Sequence, residues 1–342
     1  MNRKNFIASA TAALAAIPFS KTEATPATPF PGGEGAAPPY LKPGDMIGIT
    51  SPAGYITREE IIPAATLMQQ WGFKIRVGYT IGQRDHTFGG TDEQRLSDLQ
   101  QMLDDPQIKA IMCARGGYGS VRIIDGLNWT TFKAHPKWII GFSDITVLHT
   151  HIQKNLGIAT IHSKMCNSFP EVWDTADPLQ KDTIISIQKA LSGEKMTYTA
   201  PYSNYNKTGK ARGVLVGGNL KTLESLAGST SDIYTDGKIL FVEDTGEYLY
   251  SIDRMFWNLK RSGKLDKLAG LIVGGLKYKQ DDPGEYFGHT PYEIISEKIK
   301  GYNYPVCFDF PVGHQVDNFA LKCGVVHELN VAQEGTTLVS GE

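Results

Sequence analysis

The 342-residue chain is poor in the patterns that mark several large classes of protein. Its four cysteines, Cys113, Cys166, Cys307 and Cys323, are widely spaced, with no CxxC pair and no Cys/His metal pattern. Such spacing offers no zinc site, and Cys113 and Cys307, set in apolar runs, read as buried free thiols, while an exported chain could oxidise a pair that the sequence does not identify. The net charge is only −2 and no Lys/Arg stretch is clustered, so nucleic acid and anionic membranes are poor partners. The histidines do not form HExxH and the glycine-rich loop is not GxxxxGK[ST], so neither a metal nor a nucleotide or other cofactor is expected. No internal repeat is evident, and beyond the N-terminus no run is long and apolar enough to span a bilayer.

What remains is ordinary globular usage, 41% hydrophobic and 20% charged with 36 glycines, in a chain long enough for two domains. The first 24 residues stand apart. Arg3 and Lys4 precede the apolar FIASATAALAAIPF, and Thr22-x-Ala24 follows as a small-residue exit. This is the secretory signal pattern, with cleavage near Ala24 and an uncleaved anchor as its alternative. There is no twin arginine, and no cysteine follows to accept a lipid. Export, most simply to a bacterial periplasm, is the expectation. Residues 25–40, TPATPFPGGEGAAPPY, read as a flexible linker unable to bury a core.

From residue 45 short apolar runs alternate with amphipathic stretches. MIGIT, KIRVGYTI, KAIMCA and KWIIGF are strand-like. TDEQRLSDLQQMLDDP is a helix with Thr91 as N-cap, and DITVLHTHIQKNLG is another, closed by Gly157. Alternation of this kind predicts an α/β fold: an N-terminal, mostly parallel sheet flanked by helices, Rossmann- or flavodoxin-like, and a smaller strand-rich α/β domain after it. The expected divisions are an N-terminal domain at 41–175, an interdomain linker at 176–209 and a C-terminal domain at 210–342. Ligands gather at the carboxyl ends of such strands, where ARGGYGS and GFSD both fall.

WIIGFSDIT, residues 138–146, runs from an apolar strand into a helix. Ser143 is there either a helix cap or the exposed hydroxyl of a nucleophile elbow, whose oxyanion donor would be the next amide, on Asp144. The final glycine of G-x-S-x-G is replaced by Ile145. ARGGYGS either makes a tight turn or presents amides to an anion, and its Ser120 is a weaker candidate nucleophile. Glu243 and Asp244 follow four apolar residues in ILFVED, as functional acids or as the first solvated positions. Among the histidines, His149 and His151 lie too far along the helix after Ser143 to fold back. His86, His135, His289 and His327 read as surface residues. His162 ends a strand-like run, and His314 follows an apolar strand and a glycine in DFPVGHQVDN.

GFSD, ILFVED and FPVGH, in that order with ARGGYG upstream, resemble the LD-carboxypeptidases of the serine-peptidase type, which include murein tetrapeptide carboxypeptidases and microcin C7 self-immunity peptidases. The resemblance runs from about Gly48 to Gly324 and takes in SPAG, FGGTDEQRLSDL, GGNL and DRM. It implies a Ser-His-Glu triad of Ser143, His314 and Glu243, with oxyanion donors on Asp144 and Gly117. Arg115, beside the glycine loop, is then a candidate for a substrate carboxylate. The implied substrate is a muropeptide tetrapeptide or peptidoglycan stem peptide, cut between a diamino acid and terminal D-alanine; a homodimer stays open. Export departs from the murein-recycling members, which act in the cytoplasm, and favours trimming beside the wall. A microcin-type peptidase acting on peptidyl-nucleotide conjugates and a periplasmic solute-binding protein are the alternatives.

Overall fold

Apolar runs spaced by amphipathic helices favour parallel strand pairing, and this chain builds two sheets around parallel strands with antiparallel additions. A computed structural model describes residues 35–341; the expected signal peptide and residues 25–34 of the expected linker lie outside the described residues. The first strands are β1 (Met46–Thr50), β2 (Lys74–Val77), β3 (Ile108–Cys113), β4 (Trp138–Gly141) and β5 (Thr160–His162). They are followed by β6 (Thr197–Ala200), β7 (Gly209–Asn219), β8 (Ile239–Glu247) and β9 (Gly270–Tyr278). The chain closes with β10 (Val306–Cys307), β11 (Leu321–Cys323), β12 (Val326–Ala332) and β13 (Gly335–Ser340).

The first sheet has the order β11-β5-β4-β3-β1-β2 and is parallel except for β11, which runs antiparallel to β5. Its central strands are buried on both faces. Trp138 and Ile140 point into one apolar core with Ile184 and Ile187, while Ile139 points into another with Leu99, Leu148 and Ile152. That alternation is the two-residue period of a strand, and it explains why WIIG is apolar throughout. The strand order reverses between β1 and β3, which opens a crevice where SPAG and ARGGYG leave the sheet.

The second sheet has the order β10-β9-β8-β7-β12-β13-β6. Strands β7 to β10 are parallel and the remainder antiparallel. The helix Leu249–Arg261 lays Ile252, Met255, Phe256 and Leu259 on one face of this sheet, at the spacing of a helical stripe. All the described residues belong to one compact unit.

Two expected divisions read differently in three dimensions. Residues 176–209, expected as a linker, carry a helix at Pro178–Leu191 and strand β6. Asp177 caps that helix by accepting from Leu179 and Gln180 N–H, and Ile184, Ile187 and Leu191 pack into the first sheet's core. The segment expected as wholly C-terminal returns β11 to the edge of the first sheet. The end of the 25–40 linker is also built in: Gly35 N–H donates to Gly324 O, and Tyr40 stacks on Trp138 at 5.7 Å.

Candidate active site

β4 ends in Gly141 and an extended Phe142, and the chain then turns sharply at Ser143, whose φ is +62°. The left-handed region costs a non-glycine residue on the order of 1–3 kcal/mol and persists where surroundings enforce it. Here Ile145 N–H donates to Phe142 O at 3.2 Å, and His149 Nε2 lies 2.8 Å from Gly141 O. Ser143 opens a single 3-10 turn before the helix Thr146–Leu156, and no cap hydrogen bond uses its side chain. The elbow, rather than the cap, describes this serine. Ser120 is buried at the start of a short helix and is not among the residues that line the cleft of Ser143.

Glu243 and His314 come from the second sheet. Glu243 is fully buried on β8, paired beside Asn219 of β7. His314 lies in the loop between β10 and β11, with its side chain 22% exposed. Its Nδ1 stands 2.6 Å from Glu243 Oε2 and its Nε2 3.2 Å from Ser143 Oγ. The imidazole packs against Phe142 with ring centroids 4.8 Å apart. Gly313 makes the approach possible. Its φ is +114°, and a Cβ there would lie 2.6 Å from Glu243 Cβ. Gly218, near the end of β7, is needed for the same reason against the helix that follows Ser143: its Cβ would fall 2.4 Å from Thr146 Oγ1. The next residue, Asn219, donates its N–H to that hydroxyl at 3.0 Å.

The glycine loop faces the elbow. Gly117, Ser143, Asp144, Arg115 and His314 all line one cleft of about 610 Å³. Asp144 has a second role that sequence reasoning missed. Its Oδ2 accepts the Ser120 N–H at 2.8 Å, tying the end of the glycine loop to the elbow. Burial pushes its carboxyl above the usual carboxylate range, and the Ser120 hydrogen bonds oppose that rise. Arg95 was missed as well. It is fully buried, and its guanidinium donates to the carbonyls of Pro52, Gly90 and Gly119, so one side chain ties three loops together. Arg115 is exposed, with Nη1 donating to Tyr55 O at 2.9 Å. Asp244 lines the same cleft and accepts N–H groups of Lys221 and Thr245, both at 2.7 Å. Burial, with Glu243 next to it, pushes it up to about 7.

Two further residues back the histidine loop. Asn318 Oδ1 accepts from Gly313 N–H at 2.8 Å and lies 3.2 Å from His162 Nε2. His162 is fully buried among Phe142, Phe241 and His149, and that burial holds it well below its ordinary value and therefore neutral. His162 thus supports the site from behind and does not line the cleft. His327, expected on the surface, is buried in β12 because its strand lies between β7 and β13.

Comparison with known proteins gives this geometry its context. The sequence profile of the LD-carboxypeptidase N-terminal domain matches residues 47–163, and that of the LD-carboxypeptidase C-terminal domain matches residues 212–329. The chain belongs to the LD-carboxypeptidase family. It is 33% identical over 307 residues to the "probable murein peptide carboxypeptidase" of Bacillus subtilis (strain 168), covering 89% of this chain and 94% of that protein. It is 30% identical to the microcin C7 self-immunity protein of Escherichia coli, over 85% of this chain and 91% of that one. Among solved structures it resembles the muramoyltetrapeptide carboxypeptidase of Oxalobacter formigenes, with a TM-score of 0.77, 25% identity, and coverage of 87% of this chain and 99% of that chain. As an LD-carboxypeptidase family member the chain is a serine carboxypeptidase with the two-sheet α/β fold of its relatives.

Proposed function

We propose that this LD-carboxypeptidase removes terminal D-alanine from murein tetrapeptides, using Ser143 as nucleophile, His314 as base and Glu243 as the acid that orients it. The reading is carried by one observation: a continuous contact from Ser143 Oγ through His314 to buried Glu243, on a serine held at a left-handed φ. Ser143 Oγ attacks the carbonyl carbon of the diamino acid while His314 Nε2 takes its proton. Glu243 holds the Nδ1–H tautomer and stabilises the imidazolium. The Asp144 and Gly117 amides receive the oxyanion, where losing one such donor typically costs about 10²–10³ in rate. His314 returns the proton to the D-alanine nitrogen as the C–N bond breaks. Water, deprotonated by the same imidazole, then cleaves the acyl-enzyme and regenerates the serine. The pattern of residues 1–24 supports action on stem peptides outside the cytoplasm.

A second reading, cleavage of a peptidyl-nucleotide conjugate, is favoured by the likeness to the microcin C7 self-immunity protein. One assay separates the two. The purified enzyme is incubated with a muropeptide tetrapeptide and D-alanine is followed by mass spectrometry. Release that disappears in Ser143→Ala is the expected result. No release from the wild type, or undiminished release from the variant, removes the proposal.

A further inference from the structure

The imidazole of His314 has two sides. One faces the cleft with the glycine loop, the elbow and Arg115. The other faces a separate basin of about 610 Å³ lined by Lys164, Lys277, Gln180, Gln315 and Val316, together with His314 itself. Two lysines, Lys164 and the exposed Lys277, therefore line the basin next to His314. Lys164 Nζ donates to Gln315 O and lies 5.9 Å from the centre of the Phe142 ring, against which His314 also packs. The acid of the basin, Asp177, is already engaged in capping its helix through Leu179 and Gln180 N–H.

Proton transfer fixes which part of the substrate enters this basin. The general acid must reach the leaving nitrogen, so the leaving amino acid lies on the His314 side and the acyl part lies along the glycine loop. In a terminal amino acid the free carboxylate is separated from that nitrogen by a single α-carbon. That short spacing keeps the carboxylate within reach of the groups that surround the imidazole, Lys164 among them. Resting on the proposed carboxypeptidase reading, we infer that Lys164, assisted by Lys277, binds the terminal carboxylate of the leaving D-amino acid, and that Arg115 meets the acyl part instead. This subsite confines the enzyme to the last residue of a chain, because a further peptide bond would replace the anion with a neutral amide. Burial, and then repulsion from Lys277, bring the Lys164 ammonium down to about 8, while Asp317 and Glu243 pull the other way. A carboxylate placed between the two lysines relieves that repulsion.

The test compares the tetrapeptide ending in free D-alanine with the same peptide ending in D-alaninamide. Wild type, Lys164→Met, Lys277→Met, the double variant and Arg115→Met are assayed on both for kcat/KM. A charged hydrogen bond of this kind corresponds to roughly ten- to hundredfold in rate. Lys164→Met is expected to lose that factor on the free acid and to stay within about threefold of wild type on the amide, with Lys164→Arg recovering part of the loss. The retained amide activity shows that the variant is folded and its triad intact. The inference is overturned if the lysine variants keep the full preference for the free acid. It is equally overturned if they lose both substrates alike, or if Arg115→Met alone erases the preference. A wild type that releases neither product removes the carboxypeptidase reading and the subsite together.

Discussion

Gly313→Ala should disable the enzyme without touching a reacting atom. The added Cβ would lie 2.6 Å from Glu243 Cβ and 2.9 Å from Glu243 Oε2. Carbon pairs rest at roughly 3.5–4.0 Å, so about 1 Å of movement is needed. Glu243 cannot supply it, being fully buried on β8 between β7 and β9. The histidine loop must move instead, which opens the 2.6 Å contact to Glu243 and the 3.2 Å contact to Ser143. A misplacement of about 1 Å costs on the order of 10²-fold in rate. Complete loss of the acid's function would set a limit near 10⁴-fold. Strain at φ +114° and the overpacking together should cost about 1–3 kcal/mol of stability. Gly237→Ala is the control: its φ is +69°, yet its Cβ would meet nothing within 4 Å. It should lose about 1 kcal/mol and keep its rate. Steady-state kinetics with urea midpoints for both variants decide the matter. A folded Gly313→Ala enzyme with kcat within threefold of wild type would refute the packing argument.

Glu243→Gln keeps the shape but not the acceptor pair, and kcat should fall about 10⁴-fold while the urea midpoint barely moves; a loss under tenfold would remove Glu243 from the mechanism. His327 gives a pH test remote from the triad. Burial takes it down to about 4, whereas in the unfolded chain it titrates near 6.5. Between those values the unfolded state binds more protons, so stability falls as pH falls, by about 3 kcal/mol for this residue. His327→Phe lacks that dependence, so the stability difference between wild type and variant should shift in the variant's favour by that amount from pH 7 to pH 4. Parallel pH curves for the two proteins would contradict it.

Much of this arrangement is legible in the sequence because it rests on local patterns. The buried runs MIGIT and WIIG, the Thr91 cap and the Gly157 stop each specify their own element, and the helix Asp92–Asp104 begins at a capping box on Thr91. What stayed hidden depends on residues distant in sequence. Asp144 read only as the donor of a backbone amide, but its carboxylate also accepts the N–H of Ser120 across the glycine loop. Arg95 sits on an ordinary amphipathic helix, and only the folded chain brings three carbonyls to its guanidinium. Asn318 and His162 are 156 positions apart and meet only after β11 has been laid beside β5. The same crossing hid the intermixing of the two sheets, since three residues, Leu321–Cys323, carry too little periodicity to announce a strand.

That short strand has a consequence for biosynthesis. The loop bearing His314 is fastened at one end to the second sheet by β10 and at the other to the first sheet by β11. A chain that emerges N-terminus first can therefore complete the serine's turn long before it owns a base. Until the late segment docks, β5 is an unprotected edge and Ser143 is an unactivated alcohol. On the proposed mechanism, a chain that has not yet docked this segment would lack its base, so the step that seals the fold would also complete the site.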